Sequence, residues 1–327
     1  MNILIAHKGI IPVINYGGTE RVIWYLGKEL SKLGHKVTYL VNKGSHCDFA
    51  KILFYDFSKS ISSQIPDEID LVHFNFEPTE NVSKPNVVTM HGNCNDERLF
   101  DLNTIFVSSN HAARFGSKTF VHNGLDWDDY AKPSLNSDKK NYHFLGNAAW
   151  RVKNVRAAIS IIKNTKAEKL KVLGGTRLNI NMGFRCTLSP RIQFYGMVGG
   201  DKKSSLLNGS KGLLFPVRWH EPFGLAITES LYYGCPVFGT PYGSLPEIVK
   251  TEVGFLSANS KELQYALENE NHFSPKICHD YAVENFNSKK MALEYLEKYL
   301  VVLNGGNLNE TNPTLLKIQQ EKFLPFQ

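Results

Sequence analysis

The residues best suited by type and spacing to chemistry lie in one stretch, Arg218-Trp219-His220-Glu221-Pro222-Phe223-Gly224-Leu225-Ala226-Ile227-Thr228-Glu229. It follows an apolar run at 212–217 and opens a helical one. Phe223, Gly224 and Leu225 therefore offer backbone N–H groups at a helix N-terminus, where an anion is favoured. Gly224 has no side chain, and a ligand can approach its backbone closely. Glu221 and Glu229 bracket this turn, and at about 1.5 Å per helical residue they stand on the order of 10 Å apart along the axis. One carboxylate can then hold a sugar at one end of a nucleotide diphosphate while the other accepts hydrogen bonds from ribose hydroxyls. The plainer reading makes Glu229 an exposed helix residue and Glu221 an acid favoured by the helix dipole.

The elements that must carry this turn are short β-rich runs alternating with amphipathic helical stretches. Residues 2–6, 36–42, 52–57, 69–75, 86–91, 104–108 and 118–122 predict strands. Several are nearly continuous in Val, Ile, Leu and Phe, as parallel strands buried on both faces are. Between the first two, Val22, Ile23, Leu26, Leu30 and Leu33 recur at helical spacing, and Gly34 supplies a stop. Such a βαβ unit implies a parallel sheet. A polar linker with Asp126, Asp128, Asp129, Pro133 and Lys139-Lys140 interrupts the pattern at 126–141.

A second series follows, with strands at 142–145, 170–173, 192–195, 212–217 and 236–239 and helices at 155–163 and 224–233. Helical patterns then occupy 261–269, 275–286 and 288–303. Residues 304–313, rich in Asn, Gly and Thr, are expected to be mobile, and Leu315, Leu316, Ile318, Phe323 and Leu324 suggest a short docking helix. The expected fold is α/β, with two Rossmann-like, doubly wound parallel-sheet domains at 1–130 and 131–287. A helix at 288–303, able to cross back to the first domain, and a tail at 304–327 complete it. Ligands of such sheets sit outside the carboxyl ends of the strands, so the two domains are expected to face a cleft.

The 327 residues exceed one ordinary core. A hydrophobic fraction of 42% excludes a disordered chain, and 25 Gly with 14 Pro exclude a collagen-like one. No apolar run reaches the roughly 18 to 20 residues that span a bilayer. Residues 1–6 read as a first strand rather than a signal peptide, so a cytoplasmic protein is expected. Cys47, Cys94, Cys186, Cys235 and Cys278 form no Cys-x-x-Cys pair; free thiols fit better than a disulfide framework or a zinc site. The formal charge of +6 favours acidic partners such as nucleotides, phosphates or an anionic membrane. No nucleic-acid-binding signature is present. Lys28, Lys32, His35 and Lys36 suggest a peripheral contact with the inner face of a membrane, although a solvated helix face explains them equally well.

Glu221-Pro222-Phe223-Gly224 with Glu229 resembles the E-x7-E motif of the family 4 (group 1) retaining glycosyltransferases, whose GT-B fold has two facing Rossmann-like domains. Gly234-Cys235-Pro236-Val237, Gly243, Pro246-Glu247-Ile248-Val249 and Gly254-Phe255 are similar to that family in order and spacing. So are Gly17-Gly18, Thr89-Met90-His91-Gly92 and Val121-His122-Asn123-Gly124-Leu125-Asp126 upstream. The resemblance spans residues 1 to about 300.

It implies that Gly17 and Gly18 face donor phosphates or acceptor, that His91 lies near the sugar, that Glu221 contacts the donor sugar and that Glu229 binds the ribose. Phe223, Gly224 and Leu225 complete the donor site. Family members place an Arg directly after the glycine ending the first strand of the second domain, here Gly146, and a Lys-Gly a few residues on. This chain has Asn147 at the Arg position and Lys153-Asn154 at the other, so Arg151 and Lys153 become the candidate phosphate cations. Asp126-Trp127-Asp128 spells a metal-binding D-x-D but sits where a linker turn is expected, and no metal or other cofactor is implied.

The resemblance thus implies a metal-independent hexosyltransferase that moves sugar from a nucleotide-sugar to a saccharide or lipid-linked saccharide acceptor. Cell-surface polysaccharide, glycolipid or lipopolysaccharide synthesis is the expected setting. Two alternatives remain: a nucleotide-sugar 2-epimerase of the same fold, and a non-catalytic nucleotide-sugar-binding protein.

Overall fold

The βαβ alternation is built twice over in a computed structural model that describes residues 1–13, 17–180, 182–269 and 272–327. The described residues form two units. The first holds 1–13, 17–127 and 286–319; the second holds 128–285 and 320–327.

In the first unit, β1 (Asn2–Ala6), α1 (Gly18–Lys32), β2 (Lys36–Val41), β3 (Lys51–Phe54), β4 (Leu71–Phe74), β5 (Asn86–Met90), β6 (Thr104–Phe106) and α2 (Ser109–Arg114) follow in order. All strands are parallel, in the order β3-β2-β1-β4-β5-β6. The apolar runs predicted as strands form the centre of this sheet, with Ile3, Leu4, Ile5, Leu71, Val72 and Val87 fully buried. The run at 118–122 does not become a strand. It makes one isolated bridge, Phe120 to Phe106, at the sheet edge, where no further strand pairs with it.

The second unit contains β7 (Asn141–Leu145), α3 (Val155–Asn164), β8 (Leu170–Leu173), β9 (Leu178–Asn179), β10 (Arg185–Cys186), β11 (Ile192–Phe194), α4 (Gly200–Asn208) and β12 (Ser210–Phe215). It continues with α5 (Leu225–Tyr232), β13 (Val237–Gly239), α6 (Leu245–Ile248), β14 (Gly254–Leu256), α7 (Ser260–Glu268) and α8 (Pro275–Asn285). Its parallel sheet runs β11-β8-β7-β12-β13-β14, repeating the order of the first. The order reverses between β7 and β12, and the crevice beyond the carboxyl ends of two such strands is where doubly wound sheets bind ligands. β9 and β10 pair antiparallel outside this sheet.

The last helix, α9 (Ser288–Leu303), belongs to the first unit. A buried polar network joins it to the sheet. His73 shares hydrogen bonds with Tyr299 Oη and Thr89 Oγ1, each at 2.7 Å, and Tyr295 Oη lies 3.0 Å from the same threonine. His143 plays the equivalent part in the second unit, between Ser210 Oγ at 2.6 Å and Ser230 Oγ at 2.8 Å.

Neither a mobile segment nor a docking helix follows α9. Asn309 is buried and donates to the carbonyls of Leu102 and Thr104 at 2.8 and 3.0 Å, while Ser117 donates to its Oδ1. Leu315 enters the core beside Phe100, Phe106 and Phe115. The polar residues of this tail replace lost backbone partners at the sheet edge, which is why composition alone misreads it. Residues 320–327 lie on the second unit, where Gln327 bonds the backbone at Ser260 and Ala258.

Burial lowers the pKa of His73 and of His143 to about 3. Both rings therefore bind fewer protons in the folded than in the unfolded chain between about pH 6.5 and 3, and stability rises with pH through that window. Acidification from pH 7 to 4.5 is expected to remove about 2 kcal/mol per ring. Urea denaturation at the two pH values measures the loss. Imidazole resonances of His73 or His143 that titrate near the ordinary histidine value would contradict the assignment.

Candidate functional site

The loops that leave β7 and β12 at the switch point of the second unit are 146–154 and 216–224, and they carry Lys153 and Glu221. Lys153 ends a 3-10 turn, Arg151–Lys153, and the next residue, Asn154, has a left-handed backbone (φ 56°) before α3 begins. Asparagine tolerates that conformation better than most residues other than glycine, so it can serve where the family pattern has Gly.

Lys153 Nζ lies 2.6 Å from Glu221 Oε2, and both residues are buried. Trp219 Nε1 donates to the same oxygen at 2.8 Å. The ammonium also stands 5.1 Å from the Phe215 ring centre and 5.0 Å from that of Trp219, a cation–π cage. Both hydrogen bonds fall on Oε2, which leaves Glu221 Oε1 available to a ligand hydroxyl. The carboxylate expected to meet the sugar and the lysine expected to meet phosphate are in this structure each other's counter-ion.

The backbone around Glu221 is tightly held. Gly243 (φ 63°) packs so closely that a side chain there would collide with the Glu221 amide and carbonyl. Ser244 N donates to Glu221 O at 2.9 Å, and Ser244 Oγ to Phe223 O at 2.6 Å. Gly224 (φ 89°) is the N-cap of α5 and has no side-chain cap. The helix starts at Leu225, so the helical rise applies only to the second half of the Glu221–Glu229 interval, and the first-turn amides remain directed at the loop. Phe223 is buried beneath this turn.

Glu229 faces inward, not outward. It is buried, and its Oε1 accepts from Tyr130 Oη at 2.9 Å and from Lys203 Nζ at 2.5 Å. Lys203 is itself buried, on α4, with its ammonium 5.6 Å from the Tyr130 ring centre. Beside it, Tyr233 donates to Ser204 Oγ at 2.7 Å, and burial pushes the phenol up to about 12. Tyr130 and Lys203 were not legible in the sequence, since they lie 99 and 26 positions from Glu229 with no motif of their own.

Gly146 ends β7 and donates to Leu173 O at 3.0 Å; Asn147 uses its side chain locally, accepting from Ala149 N at 3.0 Å. Arg151 does not join Lys153 and Glu221. Its guanidinium lies 4.9 Å from the Phe323 ring centre, with Arg218 on the same ring at 5.2 Å.

In the first unit, His91 follows β5, and its Nε2 shares a hydrogen bond with Asn75 Oδ1 at 2.8 Å. Burial, followed by the neighbouring His7, holds this imidazole well below its usual pKa, and it is neutral at pH 7. Gly17 caps α1 and Gly18 opens it; Arg21 Nε donates to Gly17 O at 3.1 Å. Asp126 lies 2.9 Å from Lys28 Nζ and 3.2 Å from Lys32 Nζ, and so offsets half of the basic cluster on the first helix. Among the described residues no three His, Cys, Asp or Glu side chains gather as a metal site. No described helix is long and apolar enough to cross a membrane.

Residues 139–269 match the family model described as Glycosyl transferases group 1, a segment that contains Lys153, Glu221 and Glu229. No curated protein matches the chain. Among solved structures, AviGT4, a glycosyltransferase involved in avilamycin A biosynthesis, is similar with a TM-score of 0.71 and 18% identity, covering 93% of this chain and 98% of that one. Sucrose-phosphate synthase from Thermosynechococcus elongatus is similar at 0.72 and 15%, covering 93% and 100%. Anabaena HepE in complex with UDP-glucose is similar at 0.64 and 16%, covering 91% and 98%. The chain therefore has the GT-B fold, and within it residues 139–269 are similar to the group 1 glycosyltransferases.

Proposed function

We propose that the protein is a retaining glycosyltransferase that moves a sugar from a nucleotide-sugar donor to a hydroxyl of a saccharide or lipid-linked saccharide acceptor. The observation that carries this reading is the Lys153–Glu221–Trp219 cluster at the switch point, set against the uncapped first turn of α5. The α5 amides, at the positive end of the helix, suit a diphosphate. Lys153, released from part of its bond to Glu221, neutralises the leaving group, in the place where Asn147 cannot.

Glu221 keeps Oε1 for the sugar. A carboxylate already held by an ammonium and an indole N–H is stabilised as an anion and is a poor nucleophile. Its role is therefore to offset positive charge at the anomeric carbon, and not to form a covalent sugar ester. Retention then follows from attack on the same face from which the diphosphate departs, with the leaving oxygen taking the acceptor's proton. Retaining glycosidases instead need a nucleophile and an acid about 5 Å apart. Glu229 is proposed to bind the ribose, its geometry set by Lys203 and Tyr130. His91, neutral, is proposed to contact the reacting sugar, and Gly17, Gly18 and Gly146 to leave room for phosphate or acceptor. No metal is required in this scheme.

HepE, crystallised with UDP-glucose, makes uridine donors the first to try. Glu221→Gln is expected to reduce turnover by about 10³-fold and, because it leaves Lys153 buried without its carboxylate, to lower stability by about 3 kcal/mol, so rates are compared at a temperature where the variant is folded. Wild-type rates in that variant with the true substrates would remove the assignment, and C2 epimerisation of a nucleotide-sugar without acceptor would replace it. Gly243→Ala should displace the Glu221 backbone and lower kcat/KM by at least about tenfold. Lys203→Met leaves Glu229 buried without its cation; an urea-denaturation loss of about 3 kcal/mol is expected, and unchanged stability would show that water replaces the lysine.

A further inference from the structure

The β9–β10 hairpin is the most apolar exposed feature of the second unit. Leu178, Ile180, Met182 and Phe184 occupy every second position, and each is more than half exposed, as is Leu188 nearby. A monomeric soluble domain seldom leaves such a patch in water. A two-stranded ribbon is also marginal by itself, and here β9 and β10 pair over two residues each.

At the foot of the hairpin is a cavity of about 100 Å³, bordered by Met182, Trp150, Phe323 and the arginines Arg151, Arg156, Arg185 and Arg218. None of the four arginines forms an ion pair with a carboxylate among the described residues. Two of them stack on Phe323, as described above. Arg185 is buried, stands 4.8 Å from the Phe194 ring centre, and donates to Thr187 Oγ1 and Thr176 O at 3.1 and 2.9 Å. Burial lowers its pKa, followed by the nearby charge of Arg156. Four guanidiniums without a carboxylate counter-ion, Arg185 buried and the other three in reach of solvent, call for an anion with several acceptor oxygens, which phosphate supplies in the geometry that guanidinium favours.

The stretch of sequence that contains the hairpin is as lopsided in charge as the pocket. Residues 139–200 hold twelve Lys and Arg and one acidic residue, Glu168, although the whole chain is only +6. An apolar ribbon beside arginines without carboxylate partners, in a strongly basic segment, is complementary to one surface in particular. It must offer acyl chains and phosphate within a few ångströms of each other.

We propose that this face of the second unit docks on an anionic phospholipid surface. The hairpin side chains enter the boundary between headgroups and acyl chains, and the arginine pocket takes a lipid phosphate. The docking does not depend on the glycosyltransfer reading. It also differs from the first-helix cluster expected from the sequence, in which Lys28 and Lys32 already face Asp126.

The test is flotation of the full chain with vesicles of phosphatidylcholine, alone or with phosphatidylglycerol added. Retention is expected on the anionic vesicles only, weakened by salt. The combined variant Ile180→Ser, Met182→Ser and Phe184→Ser, which alters exposed side chains and should melt as the wild type does, is expected to lose retention on the order of tenfold. Arg156→Gln with Arg218→Gln should reduce it comparably. Equal retention of the serine variant, or none of the wild type, overturns the proposal. So does a wild-type dimer on a sizing column that the serine variant dissolves, because a second copy would then cover the hairpin. Thermal stabilisation by inorganic phosphate without vesicle retention would make the cavity a site for soluble phosphate, and the proposal would again fall.

Discussion

A lysine and a glutamate taken out of water together are tolerated only when their contact is close and their remaining hydrogen-bonding capacity is met. Lys153 and Glu221 satisfy this condition through a 2.6 Å contact, the indole N–H of Trp219 and two aromatic rings around the ammonium. Much of the second unit serves that condition. The reversal of strand order between β7 and β12 brings the two loops side by side, and the tight passage of Gly243 and Ser244 against residues 221–223 fixes the carboxylate's backbone. The pair is thus both a structural device and a reservoir of charge. A ligand that brings its own anion can compete for the lysine at the moment the carboxylate is needed elsewhere.

The same logic recurs with different chemistry. Glu229 on α5 is neutralised from α4 by Lys203 and accepts a hydrogen bond from Tyr130 in the linker. Each sheet also encloses a neutral histidine with a hydroxyl at both nitrogens. These groups cost desolvation, and fully satisfied networks of this kind favour one arrangement of helix on sheet over its near alternatives. α9 is held to the first sheet in this way, through Tyr295 and Tyr299.

The arginines of the second unit contrast with these closed networks. Lys153 and Lys203 are satisfied internally, whereas Arg151, Arg156, Arg185 and Arg218 rest on aromatic rings and neutral acceptors. The C-terminal residues contribute to this: Phe323 forms the platform for two of the guanidiniums, and Leu324 exchanges hydrogen bonds with Arg218 at 2.9 and 2.7 Å. The tail is therefore part of the second unit's surface and not an appendage.

Much of this was legible from residue order. Uninterrupted Val, Ile and Leu runs specify buried parallel strands by local pattern alone, so most strands of the two series, α1 and the linker near residue 130 are visible without coordinates, whereas 118–122 forms only one bridge and the short edge strand β14 carries no such run. The Glu-Pro-Phe-Gly turn and the carboxylate eight positions later are likewise local. Pattern cannot report what a residue meets across the chain. That Lys153 faces Glu221 while Arg151, two positions earlier, turns to Phe323 depends on which side of a 3-10 turn each side chain leaves. That Glu229 is buried against Lys203, and that the polar residues after α9 strap the sheet edge, depends on contacts 26 to 207 positions apart. Those outcomes belong to the tertiary structure, because burial and pairing of charge are decided by neighbours in space and leave no periodic trace in the sequence.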